Sequence, residues 1–242
     1  MIIDNIQQEF KILQNPMEAL HLSRFFKTSE GEYGYGDKFL GIRVPITRSL
    51  VKKYKNLVTV EDCVTLIQSE WHEMRLCGFL LLIELYRNYK KKKEFSSAER
   101  IVMLYISLIE YGNNWDLVDL VSQYILGDWL IDNSQFRYIL EDLAERTDSL
   151  WHQRVAIVST FALIRASSFE YTIRISKKFL NHKHDLIHKA TGWMLREMGK
   201  RGGYFQLISF LDDWATSMPR TMLRYAIERL PEDLRKYYLK LR

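Results

Sequence analysis

Pro219-Arg220-Thr221-Met222-Leu223-Arg224-Tyr225-Ala226-Ile227-Glu228-Arg229-Leu230-Pro231 decides the fold class. Met222, Leu223, Ala226, Ile227 and Leu230 recur with the helical period and form one apolar face. Pro219 and Pro231 each stand where a helix begins, a position at which the missing N–H costs nothing. The same period runs through Ile101, Leu104, Tyr105 and Leu108. No stretch alternates with period two, and only 4 prolines and 11 glycines interrupt 242 residues. These patterns predict an all-α fold.

The predicted helices come in pairs. First helices start near Glu61, Ser97, Ser134, Glu170 and Tyr204, a spacing of roughly 33–37 residues that falls in the range of helical-repeat arrays. Second helices start near Trp71, Trp115, Ser149, Asp185 and Pro219. The expected architecture is an α-solenoid, a superhelix of repeats forming one domain over residues 1–242. Residues 1–60 are less regular and the repeats run from about residue 61. Three second-helix openings look related: Trp71-His72-Glu73-Met74-Arg75, Trp151-His152-Gln153-Arg154 and Ile187-His188-Lys189. Each carries a basic residue in its first turns. Equivalent positions of a solenoid share one surface, so Arg75, Arg154 and Lys189 are expected to form a basic stripe along a groove. Scattered surface charge is the competing reading.

Composition narrows the partners. Lys plus Arg number 35 against 30 for Asp plus Glu, a net charge of +5. That suits a polyanion partner without requiring one. Cys63 and Cys77 are too few for a disulfide framework or a thiolate metal cage. Met1-Ile2-Ile3-Asp4 lacks the basic-then-apolar pattern of a signal peptide. No apolar run reaches the ~18 residues of a membrane helix. The expectation is a cytoplasmic protein that does not engage a membrane.

Several local patterns carry little chemistry. Glu30-Gly31-Glu32-Tyr33-Gly34-Tyr35-Gly36 opens a glycine- and tyrosine-rich loop between Thr28 and Pro45. It lacks the lysine and the preceding strand of a phosphate-binding loop, so a structured connector is expected. Lys90 to Lys93 reads as a solvated helix end. His184 and His188 have the spacing of a helical zinc pair, and His184-Asp185 resembles a phosphohydrolase dyad. The further ligands that zinc requires cannot be placed, so no metal is expected.

Asn113-Asn114-Trp115-Asp116-Leu117-Val118-Asp119 is different. Trp115 and Asp119 are four apart and share a helix face. An indole beside a carboxylate suits a cation, or a group becoming cationic; it equally describes a core tryptophan next to a surface acid. Trp193 and Arg196 pair an indole with a guanidinium at i, i+3, and Gly192 is expected to clear space beside the indole. Trp129, Trp151 and Trp214 have no such company and read as packing residues. An indole face attracts cations by about 0.5–2 kcal/mol, and a carboxylate stabilises positive charge developing in a transition state. Glycosidic cleavage passes through an oxocarbenium-like sugar and usually needs a second carboxylate to protonate the leaving group. A purine alkylated at N3 or N7 is already cationic and leaves without that acid.

Several stretches resemble the DNA alkylation repair family of alkylpurine DNA glycosylases, the AlkD-type proteins of HEAT-like repeats. They are Asp37-Lys38-Phe39-Leu40-Gly41-Ile42-Arg43-Val44-Pro45, Asn114-Trp115-Asp116-Leu117-Val118-Asp119, Leu150-Trp151-His152-Gln153-Arg154-Val155-Ala156-Ile157, the run from His184 to Glu197, and Met218 to Ala226. The resemblance implies excision of N3- or N7-alkylated purines from double-stranded DNA by a monomer, with water as nucleophile and no metal or organic cofactor. It implies that Asp119 is catalytic, that Trp115 packs on the lesion-bearing nucleotide and that Trp193 is the second aromatic. Arg154 and Arg196 are implied to grip phosphates, with Lys189, Arg75 and Arg43 as further DNA contacts. The base is expected to react without swinging into a tight pocket. Tyr35 departs from the family pattern, in which a smaller or acidic residue is expected. Two other readings remain: a noncatalytic repeat scaffold, and a binder of damaged or branched DNA that does not excise.

Overall fold

Every regular element among the described residues is helical, as the period predicts. The structure, a computed structural model, describes residues 2–241. The helices are α1 (Ile2–Leu13), α2 (Pro16–Phe25), α3 (Val44–Tyr54), α4 (Val60–Ile67), α5 (His72–Lys91), α6 (Phe95–Ser107), α7 (Trp115–Asp119), α8 (Leu126–Asp132), α9 (Ile139–Ala144), α10 (Leu150–Arg165), α11 (Glu170–Lys178), α12 (Asp185–Lys200), α13 (Tyr204–Trp214), α14 (Arg220–Ala226) and α15 (Glu232–Lys240). Among the described residues there is no strand, only an isolated bridge between Lys38 and Trp71. The residues fall into two compact units that part between Val121 and Ser122.

The expected helix starts agree with the observed ones to within two residues, apart from Ser134. Local chemistry explains the agreement. Thr59 and Asp62 form a reciprocal capping box at α4, and the Ser149 hydroxyl accepts the His152 N–H at α10. Ser134 opens a single 3-10 turn instead, and α9 follows at Ile139. Trp129 stacks on Phe136 at 5.1 Å, and Arg137 donates to the Leu130 carbonyl at 3.0 Å. Those contacts hold the segment in a tight turn.

In the first unit α5 packs against α3, α4, α6 and α7; in the second, α10 packs against α8, α9, α11 and α12. Both helices are enclosed on all sides near their N-termini. His72 to Ile83 and His152 to Thr160 are buried without a break. The charged residues in those runs must therefore find partners, because an unpaired buried charge is costly. Cys63 and Cys77 lie free and buried, and burial pushes both thiols up, Cys77 to about 12.

Gly192 does not clear room beside Trp193. A Cβ there would sit 2.4 Å from the Met222 carbonyl oxygen, so the glycine permits close approach of α12 and α14. No helix of the described residues is long and apolar enough to cross a membrane.

Candidate functional site

Trp115 and Asp119 begin and end α7, and both are half-buried. Buried Asn114 sets the start of this short helix. Its Oδ1 accepts the Trp115 N–H at 2.9 Å, and its Nδ2 donates to the Phe26 carbonyl at 3.2 Å. The Trp115 ring lies 5.5 Å from Phe26 and 6.0 Å from Phe25. Phe26 stacks on Phe39 at 5.2 Å, and Phe39 stacks on the His72 imidazole at 4.4 Å. The indole is thus the outer member of a column of rings built from the end of α2, the glycine-rich loop and the first turn of α5.

The column ends in a buried charged cluster. His72 Nδ1 lies 2.7 Å from an Asp37 oxygen, and Nε2 lies 3.0 Å from Asp116 Oδ2. Both ring nitrogens face carboxylates, so both donate only when the ring is an imidazolium. Burial works against that charge, but Asp116 and Asp37 outweigh it and push His72 up to about 9. Burial likewise opposes the Asp37 charge, yet His72 and Arg75 hold its carboxyl below the usual range. Arg75 donates to Asp37, to Asn113 Oδ1 at 2.9 Å and to the Ser69 carbonyl at 3.0 Å. Asp37 and Asp116 balance His72 and Arg75, which lets four charges share a dry interior. Glu73 pins the loop beside them, accepting the N–H groups of Leu40, Gly41 and Ile42 at 2.8–3.0 Å. Gly41 has φ +82°, and a Cβ there would fall 2.0 Å from the Asn15 carbonyl oxygen, so only glycine fits that crossing.

The second unit holds the other predicted indole. Trp193 is half-buried on α12, 5.9 Å from the Phe161 ring. The guanidinium of exposed Arg165 lies 5.2 Å from Phe161 and 5.6 Å from Tyr124, and Arg201 lies 5.1 Å from Phe161. Arg196 pairs with Glu228 and Glu197.

The basic positions differ from the expected stripe. Arg75 is buried and its guanidinium is engaged by Asp37, Asn113 and Ser69. Arg154 is also buried, donating to the Leu186 carbonyl at 2.5 Å in the first turn of α12. Lys189 is half-buried and paired with Asp185 at 2.7 Å, and Arg43 is exposed and paired with Glu18 at 2.9 Å. The histidine pair serves local structure. His184 Nδ1 accepts the Leu186 N–H, and His188 donates to the His182 carbonyl at 2.6 Å.

Nothing in the sequence pattern pointed to Phe26 against the Trp115 ring, or to Phe39, His72, Asp37 and Asp116 in the column and cluster behind it. The nearest local signal was Asp116, inside the Trp115–Asp119 segment. Arg165, one turn after Phe161, likewise carried no signal of its place over Tyr124 and Phe161.

The family model described as DNA alkylation repair enzyme matches residues 6–230. A solved structure described as a predicted DNA alkylation repair enzyme from Enterococcus faecalis shares the fold, with TM-score 0.68 and 18% identity, covering 90% of this chain and 97% of its own. No curated protein matches the chain.

Proposed function

The chain belongs to the DNA alkylation repair enzyme family, and from that premise we propose that it is an alkylpurine DNA glycosylase acting on duplex DNA. The observation that carries this reading is the half-buried Trp115/Asp119 pair on α7, set against a ring column and a neutralised charge cluster. A rigid indole face and a nearby carboxylate suit an N3- or N7-alkylated purine nucleoside, which is cationic before it reacts. In the reaction the C1′–N bond breaks and its electron pair neutralises the purine. Positive charge passes to the deoxyribose, where the Asp119 carboxylate stabilises it. Water adds to C1′ and gives up a proton, leaving an abasic site and a free alkylated base. The lesion supplies its own leaving-group charge, so one carboxylate suffices.

Trp193 gives the second unit its own aromatic face for DNA. Arg43, Lys189 and Arg196 exchange carboxylate partners for phosphates, contacts that set register and not sequence. Arg154, bonded to the Leu186 carbonyl, steadies the first turn of α12. Release of free 7-methylguanine from alkylated duplex tests the proposal, with Asp119→Asn as the control. A wild-type protein that binds such duplexes and releases no base would favour the non-excising reading.

A further inference from the structure

We propose that the buried Asp37–His72–Asp116 bridge and the ring column beside it form a positioning device that holds Trp115 and Asp119 in their working geometry. The glycine-rich loop is therefore part of the site's architecture and not only a connector. The inference rests on the glycosylase reading for its kinetic consequence, and its structural content can be read without it.

α7 is a very short helix. The helix has five residues, Trp115–Asp119. Isolated helices so short do not hold themselves, so contacts from outside must fix it. Buried Leu117 and Val118 and the Asn114 cap hold part of it, and two further sets of contacts act beside them. One is steric: Phe26 lies against the Trp115 ring, with Phe39 and His72 stacked behind it. The other is ionic: Asp116 stands between Trp115 and Asp119 and accepts a bond from His72 at 3.0 Å. The second Asp116 oxygen, Oδ1, is buried with no hydrogen-bond partner among the described residues, so the imidazole is the observed anchor of this carboxylate. His72 is fixed in turn by Asp37 at 2.7 Å, which reaches it from the loop. Glu73 and Arg75 bind the same loop, so a shift of its backbone is transmitted to α7 through bonded groups. None of Asp37, His72 and Asp116 is placed to touch DNA, since all three are buried. They act through the indole and the carboxylate they orient, and a displacement of about 1 Å is enough to cost a large factor in rate.

Asp116→Ala cuts the link while leaving His72 paired with Asp37. Asp116→Asn keeps an oxygen that accepts the Nε2–H. We expect Asp116→Ala to slow single-turnover excision of 7-methylguanine by about tenfold or more, with duplex Kd changed less than about threefold. Asp116→Asn should recover most of the rate. Combined with Trp115→Phe, Asp116→Ala should be non-additive, because both changes remove one geometry. Iodide quenching of the emission lost in Trp115→Phe gives a readout independent of excision: it should rise in Asp116→Ala and return in Asp116→Asn. A folded Asp116→Ala protein with unchanged excision and unchanged quenching would overturn the inference, as would an Asn variant no better than Ala. If Asp116→Ala does not fold, Phe39→Leu decides. It leaves the four charges in place and should likewise expose Trp115; an unchanged quenching profile there refutes the device. If the wild-type protein releases no base, the glycosylase reading fails and the quenching measurements alone decide the positioning role.

Discussion

Asp37→Asn probes the element on which the first unit depends most. The side chain is fully buried and bonds both His72 and Arg75. Asparagine preserves the volume, so no cavity forms, but it removes the charge that balances two buried cations. Removing one partner of a buried pair costs about 3–5 kcal/mol, because the remaining charge is stranded. Here His72 keeps Asp116, and Arg75 keeps Ser69 and Asn113. The expected loss is therefore at the lower end, about 3 kcal/mol. Against the ~5–15 kcal/mol of an ordinary domain this is a large share. With a urea slope of about 2 kcal/mol/M, the unfolding midpoint should fall by about 1.5 M at unchanged slope. Tryptophan emission during urea titration at pH 7 is the assay. Asp148→Asn, which breaks an exposed pair with Arg146, is the control and should leave the midpoint where it is. A midpoint shift for Asp37→Asn no larger than the control's would refute the charge-balance argument.

Two further outcomes are expected. The His72 pKa is raised from 6.5 to about 9, so its contribution is complete below about pH 6.5 and is lost as pH rises through about 9. The Asp37 pKa is lowered, so its contribution is complete above the unfolded value and is lost as pH falls. Urea midpoints measured across pH should show a plateau between these limits, with the alkaline fall absent in His72→Gln. Arg165, exposed and lying over Tyr124 and Phe161, is expected to contact phosphate; Arg165→Ala should weaken binding to all duplexes and reduce the salt slope by about 1. An unchanged slope would argue against that contact.

What the sequence made legible was local. Helix starts at Thr59/Val60 and Ser149/Leu150 are written in caps and period within a few residues, and the Trp115/Asp119 spacing needs nothing beyond one turn. What stayed hidden was long-range. Asp37 meets His72 across 35 positions and Asn114 meets Phe26 across 88, and nothing in either neighbourhood announces the other. Arg75 shows the consequence. A lone arginine in a helix opening reads as surface charge, and only the loop carboxylate that neutralises it lets it go inside. The glycine-rich loop was opaque for the same reason: its composition describes its turns, while its role depends on Glu73 receiving its backbone. Gly192 shows the reverse error, a residue assigned to an indole beside it when the helix across from it sets the need.

The proposed chemistry rests on Asp119, beside Trp115, stabilising a sugar cation as an alkylated purine departs. Its most direct test is the single-turnover release of free 7-methylguanine from methylated duplex DNA by the wild-type protein and by Asp119→Asn, with duplex affinity measured in parallel. Release by the wild type and a loss of about 100-fold or more in the variant, at similar affinity, are expected. Equal rates from the two proteins would contradict that chemistry.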